Sequence, residues 1–394
     1  MPIIPLYPQF SRWHYAINFF SVIILVIMFF SKQKSHLGID LGAGGIKLVE
    51  LKKEKNRPVL VTYGLTSDKQ DVHQIAGPIS SNPSSNGSGP ALDNQDPKRY
   101  AELLKYVCQK SGIKAKTATV SLPVSAVFHA AVSLPVLKKE ESLPILKAEM
   151  KKLLPRPIDE MALDYQLLPQ APEKKTQVYL INAVPRDVVM FYTEIFKHAN
   201  LELAALEPES IALQRSLVGK DQSITMIVDI GYARSNFFII ENGAVITHSS
   251  IETGAENMDK ALQKIWHLDE DLLNTAKHDL FSSLMFESSS VDRENFLRLA
   301  LFIIDPIVKE IEYNMDLFLQ NMGVSNRKPE KIVLTGGASM MPFIGEIISD
   351  KFKIKCFVGD PWGRVVYQEP LRHPLRKIAS RMAVAIGLSL RSMV

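Results

Sequence analysis

The stretch HLGIDLGAGGIKLVELKK, His36 to Lys53, organises the rest of the chain around it. Leu37-Gly38-Ile39 leads in as an apolar run, and Ile46 to Leu51 leads out with β-branched residues, so the pattern is strand, tight turn, strand. A dinucleotide fingerprint or a P-loop needs a helix that opens after the glycines, and the Gly-Lys-Ser/Thr triplet is missing here. What remains is a β-hairpin with Asp40 at the end of its first strand, Gly42 and Gly44 in the turn, and Lys47 just beyond. Taken alone, the turn has two readings. Glycines let backbone N–H groups approach phosphate oxygens, an aspartate can hold a hydrated Mg²⁺, and a lysine can neutralise phosphate charge. Equally, Asp-Leu-Gly is ordinary hairpin chemistry.

Composition narrows the classes. With 394 residues the chain has length for more than one domain, and 46% apolar and 22% charged residues describe an ordinary globular protein. A net charge of +4, with both signs interspersed, gives no footprint for nucleic acid. Cys108 and Cys356 stand far apart, which excludes a disulfide framework or thiolate metal site and fits a reducing compartment. The histidines lack zinc-ligand spacing.

The uncharged run from Tyr15 to Phe30 departs from this pattern. It is shorter than the ~20 residues a spanning helix needs. As an anchor, its flanking Lys32 and Lys34 would place the main body in the cytoplasm; as a signal peptide it has no small-residue cleavage site. The expectation is a cytoplasmic protein whose working chain starts at or near Met28.

Downstream, Arg57–Leu65 reads as a third strand, and the Ser/Asn/Gly/Pro-rich segment from Gly77 to Pro97 as a surface loop. Helical spacing resumes with Tyr100, Leu103, Leu104 and Val107 on one face. Strands are expected within Thr117–Pro135, a helix over Lys139–Leu154, further strands at Ala162–Leu168 and Gln177–Ala183, and a helix from Asp187 to Asn200. From Ser223 the plan restarts: VDIGYARS, Val228 to Ser235, repeats the strand ending in Asp-x-Gly, and two strands joined at Asn242-Gly243 follow it. Asp229, Gly231 and Ser235 offer a carboxylate, open backbone and a hydroxyl. Two such hairpins facing each other would grip phosphates from both sides. Helices fill most of Asn257–Gln320, the last beginning at Asp305-Pro306. Then KIVLTGGASMMPFIGEII, Lys331 to Ile348, runs from an apolar strand through Gly336-Gly337 into an amphipathic helix opening at Ala338-Ser339. Such a turn lets a flat ligand lie against backbone, with a helix N-terminus nearby.

Taken in order, these three turns resemble the phosphate and adenosine motifs of the actin-like ATPase superfamily. Within it the chain resembles the PilM family of type IV pilus assembly proteins, through LPILKAEMKKLLPRPIDEMALDYQLL, FKHANLELAALEPESIAL, GDPWGRVVY and RMAVAIGLSLR. The resemblance implies an α/β, actin-like ATPase fold with two ribonuclease-H-like domains around a nucleotide cleft and a small inserted α+β module. The boundaries it implies are an N-terminal extension at 1–36, a first domain at 37–221 with the module at about 117–184, a second domain at 222–371 with a helical subdomain at about 255–300, and a C-terminal helix at 372–394 packing back on the first domain.

The same resemblance implies ATP and Mg²⁺ as cofactors. Asp40 and Asp229 would hold hydrated Mg²⁺; the backbones of Gly42, Gly44 and Gly231, with Lys47 and Ser235, would take phosphates; Gly336 and Gly337 would lie against the adenosine. Leu206–Leu217 would be the first connecting helix and Asp305–Gln320 the second, with Lys309 and Glu310 near the ribose. Glu207 reads either as the carboxylate that positions water or as a capping carboxylate. Weak or no ATP hydrolysis is expected, since fast hydrolysis needs a group placing water in line. The implied function is a nucleotide-gated adaptor binding the cytoplasmic tail of a PilN-like inner-membrane protein, with pilus motor ATPases as further partners and only indirect membrane association. An FtsA-like filament former and a small-molecule kinase are the alternatives.

Overall fold

The computed structural model describes residues 35–66, 96–136, 139–168, 176–267, 269, 272–273, 290–322 and 327–393. The apolar run at 15–30, the Met28 start and the loop at 77–95 lie outside them. In the first half the strands are β1 (His36–Gly42), β2 (Gly45–Glu54), β3 (Arg57–Leu65), β4 (Thr117–Leu122), β5 (Phe128–Pro135), β6 (Met161–Leu167), β7 (Thr176–Pro185) and β8 (Glu202–Pro208). The helices among them are α1 (Pro97–Lys110), α2 (Lys139–Leu153) and α3 (Arg186–Ala199). A short helix α4 (Glu209–Leu213), running on into a π turn at Gln214–Val218, leads to β9 (Thr225–Ile230), β10 (Ser235–Glu241) and β11 (Ala244–Ile251). Then come α5 (Ala255–Trp266), α6 (Ser290–Met322), β12 (Lys331–Thr335), α7 (Ile344–Phe352), β13 (Lys355–Val358) and α8 (Arg372–Leu390).

The repeat seen in the sequence is a repeat of topology. The two five-stranded sheets run β3-β2-β1-β4-β8 and β11-β10-β9-β12-β13. Each is an antiparallel meander whose first strand also pairs, in parallel, with a later one. Asn242 (φ 51°) and Gly243 (φ 77°) take the left-handed conformations of a two-residue hairpin turn, as their side chains allow. β4 belongs to the first sheet, so the inserted module begins after it rather than at Thr117; its own three-stranded sheet is β5-β7-β6.

Side-chain alternation explains the layers. On β1, Leu37, Ile39 and Leu41 point to one face and pack with Leu104 of α1 and Tyr192 and Phe196 of α3. On β9, Met226, Val228 and Ile230 pack with Ile304, Ile307 and Ile311 of α6. The opposite faces look toward each other, and α4 and α8 lie between them: Ile227, Phe238 and Val333 of the second sheet meet Ala212, Ala383 and Leu388 there. Gly38 and Asp40 of β1, and Asp229 of β9, occupy this inner parity. Two glycines set the spacing of the layer. A Cβ on Gly38 would stand 2.1 Å from the Ala385 carbonyl, and one on Gly387 would stand 1.9 Å from that of Ala212. Ser389 fastens the contact: its hydroxyl accepts from the Gly38 N–H (2.8 Å) and donates to the Val49 carbonyl.

Four helical expectations change. The first connecting helix begins at Glu209 rather than Leu206, because Leu206–Pro208 continue β8. α6 runs unbroken through Pro306, because Ala300, Ile304, Ile307 and Ile311 form one buried stripe across it that outweighs the lost donor. The helix is therefore not begun by Asp305, and it packs on β10 and β11 within the second half. The connection that Asp305–Gln320 was expected to make belongs to α8, which contacts β1, β2, α4 and the turn after β12. That turn is a 3₁₀ segment at Gly337–Met340; α7 opens only at Ile344, and Ser339 donates its hydroxyl to the Gly336 carbonyl (2.7 Å) instead of capping a helix.

Candidate functional site

Both Asp-x-Gly hairpins open onto one cavity of about 570 Å³ between the halves, and the Gly336–Gly337 turn lines it as well. Asp40, Gly42, Gly44 and Lys47 come from the first hairpin, Asp229 and Gly231 from the second. Register accounts for the charged pair: Asp40 and Lys47 face each other across the β1–β2 ladder, and their side chains meet at 3.2 Å. The glycines keep the turns close to their neighbours. A Cβ on Gly42 would lie 2.7 Å from the Lys47 ammonium, and one on Gly44 would press on Tyr232 at 3.1 Å, where the two turns meet. At Gly336 (φ +84°) a Cβ would lie 2.4 Å from the Ile230 carbonyl and 2.5 Å from the Asp229 carboxylate. The Gly336 N–H and the Thr335 hydroxyl both donate to the Ser380 carbonyl of α8, at 3.0 and 3.1 Å.

The carboxylate facing these turns from the connecting helix is Glu209. It opens α4 after Pro208, is 6% exposed, and accepts from the Asn236 amide at 3.2 Å; the same amide donates to Asp229 at 3.2 Å. Desolvation, then the charges of Asp40 and Asp229, raise the Glu209 pKa well above the ordinary carboxylate value. Desolvation, with Asp40 adding to it, pushes Asp229 up to about 6. Carboxylates gathered around one lysine repel one another, but among the described residues no three acidic, His or Cys side chains converge closely enough to ligate a metal directly, so a divalent cation here would be held through water.

Four sequence candidates stand elsewhere. Ser235 is fully buried and donates to the Thr253 carbonyl at 2.6 Å, away from the cavity. Its neighbour Asn236 occupies the place it was given, opposite Asp229 in register as Lys47 is opposite Asp40. Glu207, next to last in β8, is held by Arg215 at 2.8 and 2.9 Å and by Arg391, just past α8, at 3.1 Å, so it ties the end of α8 to the crossover from β8 into α4 and does not line the cavity. Lys309 and Glu310 do not line the cavity; Glu310 accepts from Ser249 (2.5 Å) and Asn314 (3.0 Å) on the far side of the second sheet. The sequence reading missed Glu209, Asn236, Arg234, Asp259 and Arg381, all cavity residues. Asn236 was findable, standing as far after Asp229 as Lys47 stands after Asp40; Arg381, brought in by α8, was not.

The sequence model of the family described as "Type IV pilus assembly protein PilM" matches residues 38–393. The chain belongs to that family. Among solved structures, this PilM-family chain resembles that of a PilM–PilN type IV pilus biogenesis complex, with a TM-score of 0.72 at 18% identity over 92% of this chain and 99% of the other. It also matches the ethanolamine utilization protein EutJ from Carboxydothermus hydrogenoformans, with a TM-score of 0.48 at 14% identity over 91% and 89% of the two chains. No curated protein matches it. The fold is that of the actin-like ATPases. No described helix is long and apolar enough to cross a membrane.

Proposed function

We propose that this pilus assembly protein is an ATP-gated adaptor whose output is the binding of a partner tail. The observation that carries the reading is the convergence of both repeated hairpins and the glycine turn on one cavity. Its volume suits a nucleotide, its glycine backbones leave the close approach a phosphate chain requires, and its carboxylates suit hydrated Mg²⁺. Asp40 and Asp229 would hold that ion through water, Lys47 would put charge on the phosphates, and Gly336 and Gly337 would lie against the adenosine. Glu209 and Asp229 share the Asn236 amide, which fixes both and leaves neither free to swing toward water; slow turnover is in keeping with this.

α8 supports the gating part of the reading, since one rigid element touches β1, the crossover and the Gly336 turn. A ligand drawing the turns together would shift the halves about this helix and so bias a partner's affinity. A PilN-like tail is the partner suggested by the similar complex, which would keep the chain at the cytoplasmic face of the inner membrane; motor ATPases would be further partners. Titrating such a tail peptide into the protein, with and without Mg-ATP, tests the proposal. A change of about fivefold or more in affinity is expected, with the reciprocal change in ATP affinity. Equal affinities would remove the gate, and phosphorylation of a small metabolite at roughly 1–10³ s⁻¹ would favour a kinase.

A further inference from the structure

The two hairpin turns are built to one plan but carry their cation differently. In the first, the position opposite the aspartate is Lys47, and Asp40 compensates its charge at 3.2 Å. In the second, that position is the neutral Asn236. The cation of the second turn is Arg234, five residues after Asp229, where the first turn has Gly45 five residues after Asp40. Arg234 lines the cavity, and its carbonyl accepts from the Gly231 N–H at 2.9 Å, which closes the turn and sets the base of the side chain. Although Asp40, Asp229, Glu209 and Asp259 line the same cavity, no described carboxylate lies within ion-pair distance of Arg234.

Arg381 is the other uncompensated cation of the cavity, with its Cγ 3.7 Å from where a Gly337 Cβ would stand. It belongs to the glycine turn, the end given above to the nucleoside. Arg234 belongs to the phosphate turns, beside Tyr232, where the second hairpin meets Gly44 of the first. A half-buried fork of N–H donors without a carboxylate gains most from the most highly charged oxygens a ligand brings. In a nucleoside triphosphate these are on the terminal phosphate.

We propose that Arg234 binds the terminal phosphate and makes the cavity distinguish nucleoside triphosphate from diphosphate. This rests on the nucleotide reading above. Lys47 and the glycine backbones serve the phosphates common to both ligands, whereas the guanidinium has a partner only when the third is present. The gate of the adaptor is then set by the triphosphate through a residue of the second half.

Calorimetric titration of Mg-ATP and Mg-ADP into the full chain and into Arg234→Ala and Arg234→Lys tests this. Arg234→Ala should weaken ATP by about 10–100-fold, the range of a charge-assisted hydrogen bond, and change ADP by less than about threefold. Arg234→Lys should fall between, because it keeps the charge but loses the fork. Thermal melting without nucleotide checks that the variants are folded, and Arg234→Lys serves if Arg234→Ala is not. Equal losses for ATP and ADP, or no loss, would overturn the assignment while leaving nucleotide binding standing. Failure of the unaltered protein to bind either nucleotide would overturn the reading beneath it.

Discussion

His129 of β5 and His248 of β11 lie ring against ring, with centroids 4.8 Å apart and planes 31° from parallel. They join the inserted module to the second sheet. Nδ1 of His129 meets the Asn182 side chain at 2.9 Å, while its Nε2 is buried without a partner. Desolvation lowers both pKa values, for His248 to about 3 with the neighbouring His129 contributing. Both rings are therefore neutral in the folded contact.

The sign of the pH dependence follows. Each imidazole binds a proton more readily when the contact is open, near the unperturbed value of about 6.5, than when it is closed. The contact is fully favoured above that value and loses up to about tenfold per pH unit per histidine as pH falls toward the depressed values. The opening of residues 244–251, read as hydrogen exchange corrected for the pH dependence of the intrinsic amide rate, should accelerate between pH 7 and 5. In His248→Phe, which keeps a ring but cannot titrate, the acceleration should be markedly smaller. Equal acceleration in both proteins would assign it to other groups.

The proposed Mg²⁺-dependent nucleotide binding should also depend on pH, through Asp229. With its pKa near 6, protons compete with the cation below that value. Affinity for Mg-ATP should be level above about pH 7 and fall by roughly tenfold per unit below 6. Calorimetry in buffers of different ionisation enthalpy would register the released proton directly.

Glu207 and Glu209, two residues apart, should fail in opposite ways. The side chains of Glu207 and Arg215 are 12% and 16% exposed, so Glu207→Ala leaves a largely buried guanidinium unpaired. A loss of about 3 kcal/mol is expected, with Mg-ATP affinity within about twofold in the folded fraction. Glu209→Gln removes a desolvated carboxylate crowded by Asp40 and Asp229. Stability should hold or rise slightly, and Mg²⁺-dependent affinity should fall. Urea denaturation and calorimetry on the two variants separate the roles.

Gly387→Ala tests the close approach of α8 to the crossover. In an exposed helix this change would gain about 1 kcal/mol. Here the new methyl would stand 1.9 Å from the Ala212 carbonyl and 2.9 Å from its Cα, both of them backbone atoms that cannot step aside. A net loss of about 1–3 kcal/mol in urea denaturation is expected.

Much of the architecture is local and therefore legible in the chain. Strand alternation puts Asp40 and Asp229 on the parity opposite Leu37, Ile39, Met226 and Val228, and Asn242-Gly243 selects its own turn. The duplicated Asp-x-Gly hairpins could be matched because each acts within a span of eight residues, from Asp40 to Lys47 and from Asp229 to Asn236.

Other features depend on residues far apart in the chain meeting, and no local pattern records that. Glu207 and Glu209 flank the same proline. Arg391, just past the end of α8, helps to claim one of them, while packing turns the other toward Asn236. Pro306 reads as a helix start, yet the buried stripe from Ala300 to Ile311 carries α6 through it. The connecting role fell to α8 instead, because Gly38 and Gly387 clear a path for a helix backbone between the two sheets. A glycine shows that a side chain is absent, but what fills the freed space is known only once Ala385 and Ala212 have come to lie against it.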